Sequence, residues 1–402
     1  MMHPCHAGSE MASSLGNVEF LDIETTTRCN FRCGFCWGRH LPQGDIAIRV
    51  FQRALDTFPR SQHLDMTGEG EPLLHLRFFA MAAEARARGL SITFTTNGSL
   101  LTADNVDRIL EIGFEKVAVS LESVNPERFR QLRGGALSVV LAGVRRLVER
   151  RDAAGLQRPS VALAVTVLRS TAGEMERVVR IYDDLGIDGG LLLQLLDRTS
   201  RYTRWYPPEL AAECVTEAEE AQLWRKVGAV RAIDTLVLAG RACGWELLFQ
   251  GNVSHLCPWL ERAAFVTHSG YVTGCCYIKE PHLAFGLLGR DGPELIAEAR
   301  DKVRHELAMG RIPECCAGCD TAAAVIAARA HANPDRIVAL VSELRDRKDE
   351  RARLERLLAQ AQADVRALRT SWSWRISAPL RRARNLATAV RRRLSRLRGR
   401  HV

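Results

Sequence analysis

Residues 27–37 have the sequence Thr-Arg-Cys-Asn-Phe-Arg-Cys-Gly-Phe-Cys-Trp, which places Cys29, Cys33 and Cys36 on one short segment. Thiolates at this spacing can bind three irons of a [4Fe–4S] cluster. The fourth iron would then have no protein ligand, and it could chelate a small molecule and pass it an electron. A structural zinc site or three buried thiols would also explain neighbouring cysteines, and the spacing alone leaves these alternatives open.

Small and polar residues follow the predicted strands that come next in the chain. The apolar stretch 64–67 leads into Gly68-Glu69-Gly70-Glu71-Pro72, the stretch 92–96 into Asn97-Gly98, and the stretch 116–119 into Ser120. Small residues let the backbone approach a ligand, and strand ends leave amide and carbonyl groups free to bind it. Asn97 and Ser120 would also serve as turn caps, and the sequence leaves that alternative open.

The alternation of strands and helices continues towards the middle of the chain. The pattern predicts helices at 136–151 and 172–185 and strands at 161–168 and 191–196. Such an alternation forms a parallel sheet of βαβ units, and ligands bind at the carboxyl ends of its strands. The predicted fold class is therefore α/β, with the cysteines and the polar residues at one edge of the sheet.

The cysteine spacing, with Phe35 before the last cysteine, resembles the signature of the radical S-adenosylmethionine (SAM) superfamily. The resemblance implies a partial (β/α)6 TIM-like barrel over residues 17–200 and a [4Fe–4S] cluster bound by Cys29, Cys33 and Cys36. It also implies that this cluster, supplied with electrons by a flavodoxin or ferredoxin, cleaves SAM reductively. The resulting 5′-deoxyadenosyl radical would take a hydrogen atom from a substrate C–H bond.

The same resemblance assigns SAM-binding roles to residues at the strand ends. The run 68–72 is similar to the family's Gly-Gly-Glu-Pro element, which binds the methionyl amino group of SAM; Glu69 stands between the glycines, as in the Gly-x-Gly-Glu-Pro variant. Asn97 and Ser120 resemble positions that face the SAM carboxylate and ribose. Arg133, which follows Ser120 in the chain, is a further candidate for contact with the carboxylate.

Composition bounds the cellular setting. The chain has 402 residues and 12 cysteines. It contains no apolar run long enough to cross a membrane, and its polar residues 1–16 are predicted to be disordered. Without a signal peptide, this many cysteines indicate a reducing compartment and metal binding rather than disulfides. We therefore expect a cytoplasmic protein with more than one domain.

A second group of cysteines occurs after residue 256. Cys257 precedes a hairpin-like turn at 268–272, which leads into Cys275, and Cys316 and Cys319 have a metal-chelating spacing. A hairpin with one cysteine before it, one after it and a pair further on can provide four ligands. Spacing alone leaves open whether such a site holds zinc or an iron–sulfur cluster.

The layout over residues 257–320 resembles the auxiliary-cluster domains called SPASM and twitch. The resemblance implies a second [4Fe–4S] cluster bound by the four cysteines just named, with Cys276 and Cys315 as rival ligands. Because no cysteine follows Cys319, one auxiliary cluster is expected, as in the twitch type. The intervening residues 201–256 are predicted to connect the two domains or to cover the substrate.

The C-terminal part of the chain has a different composition. Apolar residues at heptad spacing predict a long helix over 321–370, either a coiled coil or a helix packed on the barrel. Residues 371–402 contain ten arginines and no acidic residue. With Trp372 and Trp374 beside it, this tail is predicted to lie on anionic lipid at the inner face of the membrane. Nucleic acid, a protein partner and plain solvation of the tail are the alternatives.

The resemblance identifies the generation of a radical but not the substrate. The first hypothesis is a redox modification, a dehydrogenation or a related reaction, of a sugar, an aminocyclitol or a surface-glycan precursor. The second is the modification of a ribosomal peptide or protein by a SPASM-type maturase, and the third is a non-catalytic iron–sulfur adaptor. Candidate substrate contacts lie in the stretch 198–209, which includes Tyr206. The sequence identifies no general base.

Overall fold

The computed structural model of the chain describes residues 14–196, 205–216, 218–220, 222–223, 236–237, 257–319 and 322. All of them belong to one compact unit, Met1–His331. The predicted helix at 321–370, apart from Ala322, and the predicted basic tail at 371–402 lie outside the described residues. Within the described residues, no helix combines the length and the apolar composition that crossing a lipid bilayer requires.

A ten-stranded sheet forms the centre of the described structure. Its strands are β1 (Phe20–Ile23), β2 (His63–Asp65), β3 (Ser91–Thr96), β4 (Lys116–Ser120), β5 (Ser160–Val167), β6 (Leu191–Leu195), β7 (Leu236–Val237), β8 (Ala263–Val266), β9 (Tyr271–Thr273) and β10 (Gly286–Leu287). Their spatial order is β10-β9-β8-β1-β2-β3-β4-β5-β6-β7. β8 and β1 to β7 are parallel, whereas β9 is antiparallel to both of its neighbours.

Helices connect the parallel strands, as the sequence pattern predicts. They are α1 (Ile48–Thr57), α2 (Phe78–Ala87), α3 (Ala103–Ile112), α4 (Pro126–Arg133), α5 (Leu137–Ala153) and α6 (Met175–Asp184), followed by Pro208–Ala211, Pro258–Arg262 and Pro293–Ala308. Short 3-10 helices occur at Ser14–Asn17, Trp37–His40, Pro72–Leu74, Ala172–Glu174, Pro281–Leu283 and Glu314–Cys316. The α/β class with a parallel sheet is therefore confirmed.

Helix α4 was not predicted, although its end signals are present in the sequence. The Asn125 side chain accepts a hydrogen bond from the Arg128 amide (3.0 Å), and Pro126 occupies the first helical position. The helix ends at Gly134, whose φ of 75° suits a glycine. The helix is too short to give a clear periodic pattern in the sequence. It matters for the site because it ends with Arg133.

The two faces of the sheet differ in the size of their side chains. Val117 and Val119 of β4 belong to the main core, in which aromatic rings such as Phe94 pack. Ala118 lies between the two valines and faces the other side, together with Ala162 and the partly buried Ala164 of β5. Alanines on this face leave space beside the sheet, and a cavity occupies that space.

The predicted hairpin-like turn at 268–272 is confirmed, because β8 and β9 pair antiparallel around it. Gly270 has a φ of 91°, a conformation that side-chain-bearing residues rarely adopt. The parallel pairing of β8 with β1, from Phe20 opposite Ala263 to Ile23 opposite Val266, was not predicted. The segment 257–319, here called the auxiliary segment, thus contributes strands to the same sheet as the predicted barrel.

Candidate active site

A cavity of about 340 Å³ opens at the carboxyl ends of the parallel strands. Its volume is in the range of small-molecule sites. The sequence-predicted residues in its wall are Cys29, Cys33, Phe35, Cys36, Gly68, Glu69, Gly70, Glu71, Asn97, Ser120 and Arg133. Of the predicted run 68–72, only Pro72 does not line the cavity; it starts the 3-10 helix behind it. The structure therefore brings the separate motifs together at one place.

Backbone hydrogen bonds hold the cysteine loop, residues 29–36, against its surroundings. The amides of Arg32 and Gly34 donate to the carbonyls of Arg133 (2.9 Å) and Leu132 (3.1 Å) at the end of α4. The amide of Glu71 donates to the carbonyl of Arg28 (2.8 Å), just before the first cysteine. The loop is thus fixed from two sides by groups that do not depend on side-chain identity.

The three cysteine thiols differ in exposure, but all of them border the cavity. Cys29 is exposed, and its sulfur accepts long contacts from the Phe31 amide (3.4 Å) and from Nδ2 of Asn97 (3.7 Å). Burial raises the pKa of Cys33 to about 11 and raises the pKa of Cys36 as well. Thiols with raised pKa values ionise when a metal binds, because the metal charge stabilises the thiolate.

The donor set fits an iron–sulfur cluster in the type and number of its ligands. Three thiols on one short loop border the same cavity, and three cysteine ligands leave one iron of a [4Fe–4S] cluster open to another ligand.

Two glycines of the 68–72 run allow close packing, Gly70 against the backbone and Gly68 against the side chain of Glu24. A Cβ on Gly70 would lie 2.4 Å from the carbonyl oxygen of Thr26 and 2.6 Å from that of Arg28. A Cβ on Gly68 would lie 2.4 Å from Cγ of Glu24. Any larger residue at these positions would push the run away from the start of the cysteine loop.

Glu71 joins the 68–72 run to the end of β3. Its Oε1 accepts from the Thr96 hydroxyl (2.7 Å) and the Leu73 amide (3.2 Å), and its Oε2 accepts from the Asn97 amide (2.7 Å). The side chain is buried, and burial raises the pKa of this carboxyl. Glu71 therefore positions the backbone around the cavity.

The structure shows the turn-cap role of Asn97 and also places its side chain at the cavity. Its Oδ1 accepts from the amide (2.9 Å) and the hydroxyl (2.6 Å) of Ser99, which is the turn-cap role. Its Nδ2 donates to Oδ1 of Asn30 in the cysteine loop (2.8 Å) while the side chain also lines the cavity. Ser120, at the end of β4, lines the cavity from the neighbouring strand.

Arg133 is a buried cation at the cavity wall. Its Nη1 lies 2.6 Å from Oε2 of Glu122, and its guanidinium lies near the rings of Phe31 and Phe129. Burial opposes its charge, but Glu122, Cys33 and Cys29 together outweigh burial and raise the pKa of Arg133. Among the described residues, its Nε has no hydrogen-bond partner. A buried, charged guanidinium with a spare donor is suited to an anionic ligand group.

Sequence reasoning missed a buried ion pair beneath the 68–72 run. Oε1 of Glu24 accepts from Nζ of Lys279 (3.0 Å) and from the Glu69 amide (3.2 Å), and Oε2 contacts Nδ1 of His268 (3.2 Å). Burial alone would raise the pKa of Glu24, but Lys279 and His268 outweigh it and lower the pKa to about 2. Glu24 directly follows β1, and a charged residue at the end of a strand could have indicated a site residue. Its partners come from the auxiliary segment, and no sequence pattern connects them to it.

Two buried carboxyl groups on β1 and β2 were also missed. Asp22 and Asp65 are register partners on adjacent strands. Burial raises the pKa of Asp65 to about 7, and burial together with Asp65 raises the pKa of Asp22. They were missed because each lies within a short strand whose buried positions were expected to be apolar.

The auxiliary segment brings the cysteines predicted there near one another. Cys257 precedes the helix Pro258–Arg262, and Cys316 ends the turn Glu314–Cys316. Burial, with a smaller contribution from Cys319, raises the pKa of Cys257 to about 11. The adjacent Cys315 and burial raise the pKa of Cys316, and Cys275 and Cys257 act in the same direction. These thiols therefore lie in one region of the auxiliary segment, close enough to influence each other electrostatically.

Cys276 has different surroundings from the other cysteines of the auxiliary segment. Burial raises the pKa of Cys276, and the charged groups near it include Lys279, Asp22 and Glu69. Its environment therefore extends towards the barrel side of the segment. Cys315, the other rival ligand, has its sulfur 3.9 Å from that of Cys316.

Comparison with known proteins agrees with this site. Residues 23–181 match the family model described as the radical SAM superfamily. The tungsten-containing aldehyde ferredoxin oxidoreductase cofactor-modifying protein of Pyrococcus furiosus is 31% identical over 188 residues, which are 45% of this chain and 53% of that protein. The chain thus spans about half the length of this relative.

Solved structures agree on the fold. Streptococcus suis SuiB bound to precursor peptide SuiA superimposes with a TM-score of 0.57 at 13% identity, covering 72% of this chain and 67% of that one. Native anSMEcpe with bound AdoMet and Cp18Cys peptide gives 0.54 at 16% identity, covering 75% and 86%. The match to the radical SAM superfamily thus covers residues 23–181, the barrel part of the chain. That superfamily implies a [4Fe–4S] cluster and SAM as cofactors.

Proposed function

We propose that the chain binds a [4Fe–4S] cluster through Cys29, Cys33 and Cys36 and cleaves SAM reductively. The convergence of the cysteine loop, the 68–72 run, Asn97, Ser120 and Arg133 on one cavity is the observation that supports this most directly. When bound, the cluster would supply the electron for SAM cleavage, with a flavodoxin or ferredoxin as its donor. The cleaved SAM would then provide the radical that takes a hydrogen atom from the substrate.

The protein side chains would bind and orient SAM rather than react. Arg133 would bind the SAM carboxylate through its guanidinium, which Glu122 holds in place. The backbone of the 68–72 run would bind the methionyl amino group, because its glycines keep that backbone close to the cysteine loop. Asn97 and Ser120 would face the carboxylate and ribose. Glu71 would keep these groups in register through the end of β3.

We further propose that Cys257, Cys275, Cys316 and Cys319 bind one auxiliary [4Fe–4S] cluster in a twitch-like domain. The mutual effects of their thiols support this set of four. The barrel-side environment of Cys276 argues against it as the ligand, whereas Cys315 remains close enough to replace Cys316. An auxiliary cluster at this place would accept an electron from a substrate radical, which favours oxidation.

The lining of the cavity supports a neutral, hydroxyl-rich substrate such as a sugar, an aminocyclitol or a glycan precursor. Its lining includes the hydroxyl- and amide-bearing residues Thr166 and Gln194, and Tyr206 and Tyr277 add aromatic rings with a polar end. Among the described lining residues, Arg133 is the only cation. The reaction we propose is the dehydrogenation of an alcohol, in which the substrate loses a hydrogen atom, an electron and a proton.

The full chain, reconstituted anaerobically with iron and sulfide, tests this proposal. We expect 5′-deoxyadenosine from SAM and dithionite, and faster formation when a true substrate is added. The substrate panel should contain nucleotide sugars, aminocyclitols, unmodified peptides and cell extract. Cys33→Ala is the matched control and should form none.

The outcomes separate the alternatives. Stimulation by an alcohol, with a carbonyl product, supports the sugar dehydrogenase. Stimulation by a peptide instead would replace it with a peptide maturase. A protein that holds its barrel cluster but forms no 5′-deoxyadenosine under any condition would be an iron–sulfur adaptor, and the proposal of an enzyme would be wrong.

A further inference from the structure

A buried arginine in the auxiliary segment has no carboxylate partner among the residues that the structure describes. Arg300, on the helix Pro293–Ala308, is 1% exposed. Its Nε and Nη2 donate to the carbonyl of Leu260 (3.2 and 2.7 Å). Among the described residues, its Nη1 is buried without a hydrogen-bond partner. Asp301, the next residue on the helix, binds Arg304 instead (3.0 Å).

The described protein groups thus compensate the charge of Arg300 only in part. Burial and the neighbouring Arg304 outweigh Asp301 and Cys257 and lower the pKa of Arg300 to about 10, the direction expected of a buried cation without a close counter-charge. A buried charge is tolerated in proteins when an opposite charge is close to it. The dipole of a single carbonyl offsets only part of the free-energy cost of burying the charge, so an anion near Arg300 would be stabilising.

The position of Arg300 indicates where that anion would be. The carbonyl that Arg300 binds belongs to Leu260, in the helix that starts directly after Cys257. Cys257 is also among the groups close enough to influence Arg300 electrostatically. A [4Fe–4S] cluster with four thiolate ligands is negatively charged in both of its usual redox states. Such a cluster, with Cys257 as one ligand, would supply the missing charge.

We propose that Arg300 is the positioning residue of the auxiliary cluster: it holds the Cys257 helix in place and raises the reduction potential of the cluster. This rests on the auxiliary cluster of the proposed function. A fixed positive charge stabilises the reduced state, which carries one more negative charge, and protein charges near a cluster set its potential in this way. Oxidation of a substrate radical would then be easier.

Three variants of the full chain test this inference, each carrying Cys29→Ala, Cys33→Ala and Cys36→Ala so that only the auxiliary cluster remains. Arg300→Gln removes the charge but keeps an N–H donor for the Leu260 carbonyl. Arg300→Lys keeps the charge. Lys302→Met removes an exposed positive charge from the same helix and is the matched control. Iron content and the midpoint potential from an anaerobic redox titration are measured.

We expect a more negative potential in Arg300→Gln and little change in Arg300→Lys or Lys302→Met. An unchanged potential in Arg300→Gln with full iron content would overturn the inference, and Arg300 would then be only a helix cap. Arg300→Gln could also lose the cluster. In that case, iron retained by Arg300→Lys supports the role of the charge, whereas iron lost from Arg300→Lys overturns the inference. If the parent protein with Arg300 holds no cluster, the auxiliary site itself is wrong.

Discussion

Backbone hydrogen bonds attach both the cysteine loop and the auxiliary segment to the rest of the sheet, but side-chain ion pairs add to the attachment of the auxiliary segment alone. The loop is held mainly by backbone hydrogen bonds, such as those from Arg32 and Glu71, and by the close approach that Gly70 allows. The auxiliary segment pairs β8 with β1, and side-chain charges add to this pairing. Its ion pairs with the barrel include Lys279 with Glu24 and Arg262 with Glu19, and His268 also contacts Glu24.

This difference predicts which kind of change destabilises each region. Backbone groups do not titrate in the physiological range, so the cysteine loop should respond to steric change rather than to pH. Ion pairs depend on the protonation of their members and, when exposed, on salt. The auxiliary segment should therefore respond to the loss of a charge and to acid.

The largest expected effect separates the two groups of cysteines. Cys33→Ala should abolish 5′-deoxyadenosine formation, because it removes a ligand of the cluster that would bind SAM. Cys257→Ala should keep this cleavage but lose the substrate product, since no cysteine adjacent to it in the sequence can take its place. Each should reduce the iron content from about eight to about four per chain. Cys214→Ala, outside both groups, should change neither; residual zinc in place of iron in the Cys33→Ala protein would refute the auxiliary assignment.

The second effect concerns the ion pair between the regions. Glu24→Gln should lower the free energy of unfolding at pH 7 by about 3 kcal/mol, because the pKa of Glu24 falls from 4.5 to about 2 on folding. A depressed pKa stabilises the fold above the unfolded value, and this contribution disappears as the pH falls from about 4.5 towards 2. Urea unfolding at pH 7 and pH 3 should show the difference between wild type and variant shrinking.

The matched double variant sharpens this test. Glu24→Gln with Lys279→Met should be less destabilised than Lys279→Met alone, since neither buried charge then lacks a partner. If the loss of unfolding free energy in the double variant equals the sum of the losses in the two single variants, the two residues do not interact.

A smaller effect is expected from steric change at the cysteine loop. Gly70→Ala should cost about 1–3 kcal/mol and weaken both iron retention and SAM binding, because the added Cβ meets the backbone of Thr26 and Arg28. Gly34→Ala is the control within the loop, where a Cβ meets nothing within 4 Å. Calorimetry and equilibrium dialysis with SAM measure the two quantities. A Gly70→Ala protein with unchanged iron content would show that the loop does not depend on this contact.

The smallest effect belongs to the surface pair of Arg262 and Glu19. Both side chains are about one-third exposed, and their atoms Nη2 and Oε2 are 2.5 Å apart. Glu19→Gln should therefore change the free energy of unfolding by less than about 1 kcal/mol, and less again at high salt. A cost as large as that of Glu24→Gln would contradict the distinction between buried and exposed charges.

The sequence predicts the cysteine loop and its partners well because both lie in short, continuous runs. The strand and helix alternation from β1 to β6 is equally local, and the structure agrees with it. The pairing of Glu24 with Lys279 could not be predicted, since it depends on how two distant parts of the chain meet. The pairing of Asp22 with Asp65 could not be predicted for the same reason. The mutual effect on their pKa values arises only from the register of β1 with β2.

The place of β1 in the sheet has a consequence for the folding of the nascent chain. β1 pairs with β2 on one side, but its other neighbour, β8, is made only after most of the barrel has left the ribosome. Until then, all four residues of this buried strand border an open sheet edge, which is a template for wrong pairing between chains. Long-range parallel pairing also forms slowly. A chain that stops before Ala263 would keep this edge open permanently and should aggregate rather than persist as an isolated barrel.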